Sequence, residues 1–404
     1  MNRTQQIFEF FRPATCLPFM GALALLAPLI GLGCGAESPF PTPPGANSSE
    51  SVASFTDFSA PETDRLVIPP QSNHSGPTLI VLISIDTLRP DHLGLYGHSR
   101  FTSPMLDLFA REGTVFEDAS SVAPWTLPAH ASMLTGLYPL EHGVIDPEKR
   151  LGDEIPTLAK LLGDKGWQTA AAVNSSWLLK KNHELARDFD LFYFVESVAD
   201  QRLPTRSITD RAMQWIRDSG ESKMFVFMHY YDVHSDYLSL PKYENLLVSP
   251  YDGRVDGSTW QLNLASLPEA YIEGCQIDPD EKRCRFGAGP ISHLVDASVT
   301  KLEFAEKDLQ HLEELYDAGI RQLDDELGRF FAFLQNTGRI DNARIVITSD
   351  HGEEFLEHGR AYHFQTTYQE VFRVGDRAYK LPSSTTPEPG RYVKSLGEPV
   401  TGLR

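Results

Sequence analysis

The sequence predicts an α/β fold, a three-layer sandwich in which helices cover both faces of a mainly parallel central sheet. Two observations support this prediction. Short apolar runs alternate with longer helical patterns, which is the order expected of parallel strands joined by helices. Two of the apolar runs, residues 78–85 and 345–348, are followed closely by Asp86 and by Asp350-His351. Polar groups gather beyond the carboxyl ends of parallel strands, so these endings predict a site at one edge of the sheet.

The individual elements follow from the period of the apolar residues. Short runs rich in β-branched or aromatic residues are expected to be strands. They lie at residues 78–85, 169–173, 224–229 and 345–348. Longer segments with helical periodicity are expected to be helices. They lie at residues 128–135, 156–165, 208–218 and 308–335. Residues 238–298 are polar and irregular, and we interpret them as an insertion over the site.

Residues 1–34 are predicted to be an export signal. Arg3 and Arg12 precede an apolar run that ends at Gly33, an arrangement typical of secretory signals. A small residue before Cys34 resembles a lipoprotein cleavage site, at which this cysteine would become the lipidated first residue. The alternative is an uncleaved anchor helix, for which the run is barely long enough. We therefore expect an exported protein, periplasmic or on the cell surface, held at the membrane through the signal or a lipid on Cys34.

The rest of the chain divides into a linker, a catalytic body and a tail. Residues 35–77 are rich in Pro, Ser, Gly and Asn and are predicted to be a flexible linker. The catalytic domain is expected at residues 78–375, followed by an irregular Pro- and Ser-rich tail at residues 376–404. Cys275 and Cys284 lie in a polar loop and would form a disulfide in an oxidising compartment.

The net charge of −19 restricts the partners of the protein. No block rich in Lys or Arg offsets this charge, so we expect no nucleic-acid partner. A solvated acidic surface is the ordinary explanation, although some of the carboxylates lie in the predicted site.

Asp86, Asp350 and His351 are predicted to bind a divalent metal ion. Two carboxylates and one imidazole suit Zn²⁺ or Mn²⁺ better than Ca²⁺, which prefers oxygen ligands alone. A fourth ligand is needed, and Thr126 is the expected one. Its hydroxyl is a poor nucleophile at neutral pH, but coordination to a cation lowers the pKa of the hydroxyl and activates it. Calcium as the metal, and one ion or two, stay open at this point. The expected partner is an anionic ester substrate.

The predicted helix at residues 128–135 begins beside Thr126. Pro128 leaves the first backbone N–H groups free, and they would point at the group that Thr126 attacks. A phosphate or sulfate bound there is stabilised, and more strongly as charge develops. The alternative is that Thr126 merely caps the helix.

Three segments resemble the sulfatase family within the alkaline phosphatase superfamily. They are IDTLRPDHLG at residues 85–94, WTLPAHASMLTG at residues 125–136 and TSDHGEE at residues 348–354. Supporting matches lie at residues 138–139, 142–144, 229–234 and 315–320. The matches are collinear between residues 78 and 374. The resemblance implies a metal-dependent hydrolase of sulfate or phosphate esters.

The chain departs from the sulfatase pattern at its nucleophile. Sulfatases carry Cys/Ser-x-Pro-x-Arg, whose Cys or Ser is oxidised to formylglycine, and here Thr126 and His130 stand at the Cys/Ser and Arg positions. Threonine cannot form that aldehyde, because its β-carbon already carries a methyl group. Thr87 also replaces the second Asp of the usual Asp-Asp pair. These departures favour phosphate-ester over sulfate-ester chemistry.

Asp86, Thr126, Asp350 and His351 are similar instead to the ligand set of relatives that use threonine, such as phosphoglycerol transferases and nucleotide phosphodiesterases. The resemblance implies a phosphothreonine intermediate that water or an alcohol resolves. A phosphotransferase or phosphodiesterase of this type is therefore the alternative to a sulfatase-like hydrolase.

The resemblance also implies roles for four further residues. Asp232 and His234 lie where relatives place substrate-binding groups or a second metal. His363 is the expected proton donor to the leaving oxygen. His130 is expected to orient Thr126 or to contact a substrate oxygen.

The C-terminal part also differs from the family. Relatives continue past the segment equivalent to residues 368–371 with another strand and a small subdomain, whereas here a Pro- and Ser-rich tail follows. We therefore expect that subdomain to be largely missing. A catalytically inactive, anion-binding protein of the same fold, or an unstable fragment, is then the alternative to an active enzyme.

Overall fold

A computed structural model describes residues 76–195, 204–266, 303–364 and 366–379, and the short strands at residues 276–278, 283–285, 294–296 and 392–393. The predicted export signal, the linker up to residue 75 and Cys275 lie outside the described residues. The predictions made for them therefore stay predictions. No described helix is both long enough and apolar enough to traverse a bilayer.

Strands and helices alternate along the described chain. The strands are β1 (Leu79–Ile85), β2 (Gly113–Ser120), β3 (Gln168–Val173), β4 (Leu191–Phe194), β5 (Met224–Tyr230), β6 (Gln276–Asp278), β7 (Arg283–Arg285), β8 (Leu294–Asp296), β9 (Ala343–Ser349), β10 (Glu354–Phe355), β11 (Ala361–Tyr362), β12 (Arg373–Tyr379) and β13 (Tyr392–Val393). The helices are α1 (Pro104–Ala110), α2 (Thr126–Thr135), α3 (Pro139–His142), α4 (Leu158–Gly163), α5 (Lys180–His183), α6 (Pro204–Asp218), α7 (Pro241–Leu247), α8 (Thr259–Ser266), α9 (Glu306–Asn336) and α10 (Gln369–Phe372). Each strand and helix predicted from the sequence is present.

The central sheet contains eight of the described strands, in the order β13-β2-β12-β9-β1-β5-β3-β4. The neighbours from β9 to β4 run parallel, whereas β12 is antiparallel to both β9 and β2. This confirms the predicted mainly parallel sheet. Ile85 of β1 pairs with Tyr230 of β5 and with Ser349 of β9, so the ends of these three strands lie side by side.

Strand β1 shows why helices must cover both faces of the sheet. Val81 and Ile83 belong to an apolar cluster that includes residues of α6 and α9, and Leu82 belongs to a second cluster with residues of α2 and α4. Successive strand side chains point to opposite faces, so this alternation requires an apolar layer on each side. The predicted three-layer sandwich is confirmed.

Helix α9 also fixes the loop that follows β1. The buried Tyr316 hydroxyl donates to the backbone oxygen of Thr87 at 2.7 Å and accepts from the backbone N–H of Arg89 at 2.8 Å. The helix buries one face, as its apolar spacing predicts. The segment beyond β1 is therefore held by two hydrogen bonds from one side chain of the opposing layer.

The prediction of an irregular tail from residue 376 is wrong at residues 376–379 and 392–393. Strand β12 continues through Tyr379 and pairs with both β2 and β9, and β13 pairs with β2. Backbone pairing on both sides satisfies this strand without alternating apolar side chains. A register shift between Val374 and Asp376 also breaks the alternation on which the prediction relied.

The segment at residues 238–298 is not irregular throughout, as the sequence had suggested. It contains α7 and α8, and β6, β7 and β8 form a small antiparallel sheet. Pro241 opens α7 at a position where its missing N–H does no harm. The buried Tyr243 donates to Asp325 of α9 at 2.9 Å. Packing on α9, and not periodicity, stabilises so short a helix.

Candidate active site

The ends of three strands and the start of one helix bring polar side chains together at one edge of the sheet. Asp86 follows β1, His229 lies near the end of β5, and Asp350 follows β9. Thr126 is the first residue of α2. All four side chains are buried. This is the edge at which open parallel sheets place their ligands.

The four predicted metal ligands face one another. The Thr126 hydroxyl is 3.4 Å from Asp86 Oδ2 and 3.4 Å from His351 Nε2. His351 Nε2 is also 3.6 Å from Asp86 Oδ1 and 3.4 Å from Asp350 Oδ2. Asp86, Asp350 and His351 each offer one ligand atom within 4.8 Å of the other two.

The two carboxylates of this cluster are buried and incompletely satisfied. Neither Asp86 Oδ1 nor Asp350 Oδ2 has a hydrogen-bond partner. Burial raises the pKa of both groups, and the charge of Asp86 raises the pKa of Asp350 further. A cation bound between these carboxylates would offset the cost of their desolvation. Two carboxylates, a hydroxyl and an imidazole are a donor set that fits a divalent metal ion.

Backbone contacts aim the two ligands that follow β9. His351 Nδ1 donates to the backbone oxygen of Gly352 at 2.9 Å, so Nε2 keeps its lone pair on the side of the carboxylates. Asp350 Oδ1 accepts from the backbone N–H of Thr87 at 3.3 Å and of His351 at 2.9 Å. The other oxygen, Oδ2, is left facing the cluster.

Thr126 does not cap helix α2. Trp125 is the N-cap residue, and no side chain makes a capping hydrogen bond there. The Thr126 hydroxyl contacts Asp86 and His351 instead. The alternative interpretation, that Thr126 merely caps the helix, is therefore wrong. The first backbone N–H groups of α2 have no partner within the helix and lie beside this hydroxyl.

His130 anchors the first turn of α2. Its Nδ1 donates to the backbone oxygen of Thr126 at 2.8 Å, and its Nε2 accepts from the Ser84 hydroxyl at 3.0 Å. Burial lowers the pKa of His130 to about 4, so the ring is neutral near pH 7. Of its two predicted roles, this geometry fits the orientation of Thr126, because both ring nitrogens are already engaged.

His363 and His234 lie beside the predicted metal ligands. The His363 ring centre is 4.3 Å from that of His351 and 5.0 Å from that of His234. His363 Nδ1 donates to Glu353 Oε1 at 2.9 Å, and the Tyr231 hydroxyl is 3.0 Å from His234 Nε2. Burial lowers the pKa of both imidazoles, that of His234 to about 4. The structure therefore brings both predicted histidines to the cluster.

Asp232 is not brought to the cluster, contrary to the prediction. Its carboxyl is hydrogen-bonded by the Gln322 side chain of α9 and by the backbone of Thr205 of α6. Burial raises its pKa to about 7. The chain turns after β5, which directs this side chain toward the helices and not toward the strand ends.

Two residues of the cluster were not predicted from the sequence. His229 Nε2 is 3.3 Å from Asp86 Oδ2, and Glu353 is fully buried against His363. The rule that identified Asp86 at the end of β1 would also have found His229 at the end of β5. Glu353 gave no such signal, because several acidic residues follow His351 and the sequence does not tell which is buried.

Comparisons with known proteins agree with this architecture. Residues 78–375 match the family model described as Sulfatase. An N-acetylglucosamine-6-O-sulfatase of Bacteroides thetaiotaomicron is 22% identical over 339 residues, which are 72% of this chain and 61% of the relative. The multifunctional alkaline phosphatase superfamily protein PehA of Trinickia caryophylli is 23% identical over 340 residues, 69% of this chain and 64% of the relative. The chain thus spans less than two thirds of the length of these relatives.

Solved structures share the fold. A phosphonate monoester hydrolase of Agrobacterium radiobacter superposes with a TM-score of 0.59 at 18% identity, covering 79% of this chain and 70% of that one. The C-terminal periplasmic domain of EcEptC from Escherichia coli, in complex with Zn, superposes with a TM-score of 0.50 at 16% identity, covering 77% and 76%. At these identities the likeness concerns the fold alone.

Proposed function

The chain belongs to the sulfatase family, and on that basis we propose that it is an exported, metal-dependent hydrolase of sulfate or phosphate esters with Thr126 as its nucleophile. The observation that supports this most strongly is the Thr126 hydroxyl, which lies 3.4 Å from both Asp86 Oδ2 and His351 Nε2 at the start of α2. The signal-like residues 1–34 support export, and so does the periplasmic domain named among the similar structures.

Sulfatase-family enzymes use a divalent metal, and in this chain Asp86, Asp350, His351 and Thr126 would hold it. The mixed oxygen and nitrogen set favours Zn²⁺ or Mn²⁺, with Ca²⁺ as the weaker alternative. A bound cation would lower the pKa of the Thr126 hydroxyl and offset the charge of the anionic ester.

The remaining chemistry rests on side chains and backbone groups of the chain. Thr126 Oγ1 would attack phosphorus or sulfur while the free N–H groups at the start of α2 bind the non-bridging oxygens. His130 would keep the first turn of α2, and thus the nucleophile, in place. His363 would act as the acid in its charged form, which the Glu353 carboxylate and an anionic substrate would favour against the effect of burial: Nε2 would give its proton to the leaving oxygen while Nδ1 stays hydrogen-bonded to Glu353. Water would then attack the phosphorus or sulfur bound to Thr126 Oγ1, break the bond to that oxygen and release phosphate or sulfate.

Phosphate esters are the favoured substrates within this class. The methyl group on the Thr126 β-carbon excludes the aldehyde that sulfatases use to release sulfate, whereas a phosphothreonine can be hydrolysed directly. A phosphotransferase or phosphodiesterase of the phosphoglycerol transferase type is the second candidate, because the same intermediate can be resolved by an alcohol.

The test is a panel of nitrophenyl substrates, namely a phosphodiester, a phosphomonoester and a sulfate, given to chelator-treated protein with and without Zn²⁺ or Mn²⁺. We expect metal-dependent release of nitrophenol, with the phosphate esters reacting faster. Thr126→Ala should lower kcat by at least roughly 10⁴-fold, as the loss of a nucleophile does. The matched control is Thr135→Ala at the other end of α2, whose hydroxyl donates to the backbone oxygen of Ala131.

Each alternative predicts a different result. Turnover that survives Thr126→Ala would refute the nucleophile. Bound metal without turnover on any ester would favour the inactive, anion-binding protein. If added glycerol is converted to its phosphate at the expense of free phosphate, the protein is a transferase and not a hydrolase.

A further inference from the structure

His229 is a buried histidine that the reaction above does not use. It lies near the end of β5 between Asp86 and Asn174, and its side chain is fully buried. Its Nδ1 is 3.3 Å from the amide oxygen of Asn174. An amide oxygen only accepts hydrogen bonds, so Nδ1 carries a hydrogen and the other nitrogen, Nε2, is left with its lone pair in the neutral ring.

The surroundings of Nε2 offer no hydrogen-bond donor to its lone pair. It faces Asp86 Oδ2 at 3.3 Å, yet the two atoms do not form a hydrogen bond, and Nε2 has no hydrogen-bond partner at all. Two acceptors therefore face each other in a buried place. If Nε2 carried a hydrogen instead, that hydrogen would be buried and unpaired, which is equally unfavourable.

A cation between the two acceptors removes this conflict. We propose that His229 is a further ligand of the divalent metal held by Asp86, Asp350 and His351, supplied by a fourth element of the fold, strand β5. The proposal rests on the metal centre of the proposed function and extends it. Asn174 is then the outer partner that fixes the ring, in the way that metal-bound histidines are commonly held.

His130 is the natural comparison, because it lies in the same cluster. One ligand atom from each of His130, His229 and Asp350 lies within 4.8 Å of the others. Both nitrogens of His130 are hydrogen-bonded, to Thr126 and to Ser84, so it has no lone pair to give. The two histidines have the same burial and neighbourhood, and only His229 has a free ligand atom.

The second imidazole changes the expected metal preference. Imidazole nitrogens suit zinc and other transition metals, whereas calcium and magnesium prefer oxygen. With His229 and His351 both ligating, the centre should discriminate strongly against Ca²⁺. Loss of His229 should weaken the binding of Zn²⁺ more than the binding of Ca²⁺. The variant should therefore discriminate less between the two ions.

The decisive measurement counts the histidines bound to the metal in the full-length protein. We would label histidine with ¹⁵N, load the metal-free protein with ¹¹³Cd and record long-range proton–nitrogen spectra, in which a metal-bound nitrogen is split by the cadmium. We expect two split rings, of which His229→Gln removes one. His130 serves as the internal control and should show no splitting.

A second measurement is Zn²⁺ affinity by chelator competition. We expect His229→Gln to raise the Kd for Zn²⁺ about 100-fold, and the control His142→Gln to leave it unchanged. His142 is also buried, but it is bonded to Ser132 and to the backbone of Val144.

The outcomes separate the inference from the proposed function. Two split rings in the wild type, one of them assigned to His229 through the backbone connectivity of that ring, support the inference even if His229→Gln fails to fold, whereas a second split ring assigned to another histidine overturns it. A single split ring that persists in His229→Gln overturns it and leaves the metal centre standing. Cadmium that splits no ring overturns the metal centre as well.

Discussion

Two clusters in the part of the chain that the structure describes combine buried aspartate with histidine, and they differ in one respect. In the first, Asp317 of α9 accepts from His92 Nδ1 at 2.7 Å through Oδ1. Its Oδ2 accepts from His98 Nε2 at 3.2 Å and from Arg100 at 2.9 Å. Both carboxylate oxygens are satisfied by protein groups, and the guanidinium of Arg100 already supplies a positive charge.

The second cluster, at the strand ends, leaves atoms unsatisfied. Asp86 Oδ1, Asp350 Oδ2 and His229 Nε2 have no hydrogen-bond partner. Both clusters have three residues whose ligand atoms lie within 4.8 Å of one another. Residue type and spacing are therefore alike in the two clusters, and the unsatisfied ligand atoms are the feature that supports the proposed metal site at the strand ends. We expect metal to affect only the cluster at the strand ends.

Among the substitutions that compare the two clusters, Asp350→Asn should have the largest effect. Loss of this ligand is expected to reduce metal-dependent turnover by at least about 10³-fold, because several kcal/mol of transition-state stabilisation depend on the cation. The wild type should gain about 2.7 kcal/mol in unfolding free energy at a metal concentration of 100 times Kd, and the variant should gain nothing. Urea unfolding with and without metal measures this difference.

The stability of Asp350→Asn in the absence of metal provides a second test. Since the substitution removes one of two neighbouring buried carboxylates, the chelated variant should be no less stable than the chelated wild type. A large loss of stability in the absence of metal would mean that Asp350 is structural, as Asp317 is.

Asp317→Asn should show the opposite behaviour. It is expected to lower the unfolding free energy by roughly 3 kcal/mol, because it leaves Arg100 facing a neutral group in a mostly buried place. The stabilisation by metal should remain. A variant that lost its response to metal while staying folded would show that the comparison is wrong.

The pH dependence sharpens this test. Burial would raise the pKa of Asp317, but the hydrogen bonds from His92 and His98 outweigh it and lower the pKa below 3.8. Stability from such a carboxylate is fully present above the unfolded-state pKa and is lost as the pH falls through the lower folded-state pKa. The stability difference between wild type and Asp317→Asn should thus be largest near pH 7 and shrink below pH 3.8. If urea unfolding gave the same difference in unfolding free energy between wild type and Asp317→Asn at pH 3 and at pH 7, the assigned role of the Asp317 carboxylate would be wrong.

The comparison also explains what the sequence could predict. Strands β1 and β9 were found because they are buried on both faces and read as continuous apolar runs that end in Asp86 and Asp350. Strands β2 and β12 were missed, because β2 alternates weakly and β12 carries a bulge. Ligand identity followed from strand ends, but the direction of a side chain did not, which is why Asp232 was assigned to the site.

The smallest effect concerns Glu353, which stands between the two types of cluster. It is buried beside His363, where Oε1 accepts from the His363 Nδ1–H at 2.9 Å, while Oε2 has no hydrogen-bond partner. We treat it as a positioning residue that holds the ring of the proposed acid. Glu353→Gln should keep the metal response and lower kcat by about 10–100-fold on esters with poorly departing alkyl alcohols.

The leaving group then distinguishes positioning from a merely structural role. A nitrophenolate leaves without a proton, so Glu353→Gln should hardly change kcat on nitrophenyl phosphates, whereas alkyl esters should be slowed. The exposed Glu357, which binds Arg89, offers the matched control Glu357→Gln. If Glu353→Gln slowed both kinds of ester equally, it would act through the fold or the metal, and His363 would lose its assignment as the acid that Glu353 orients.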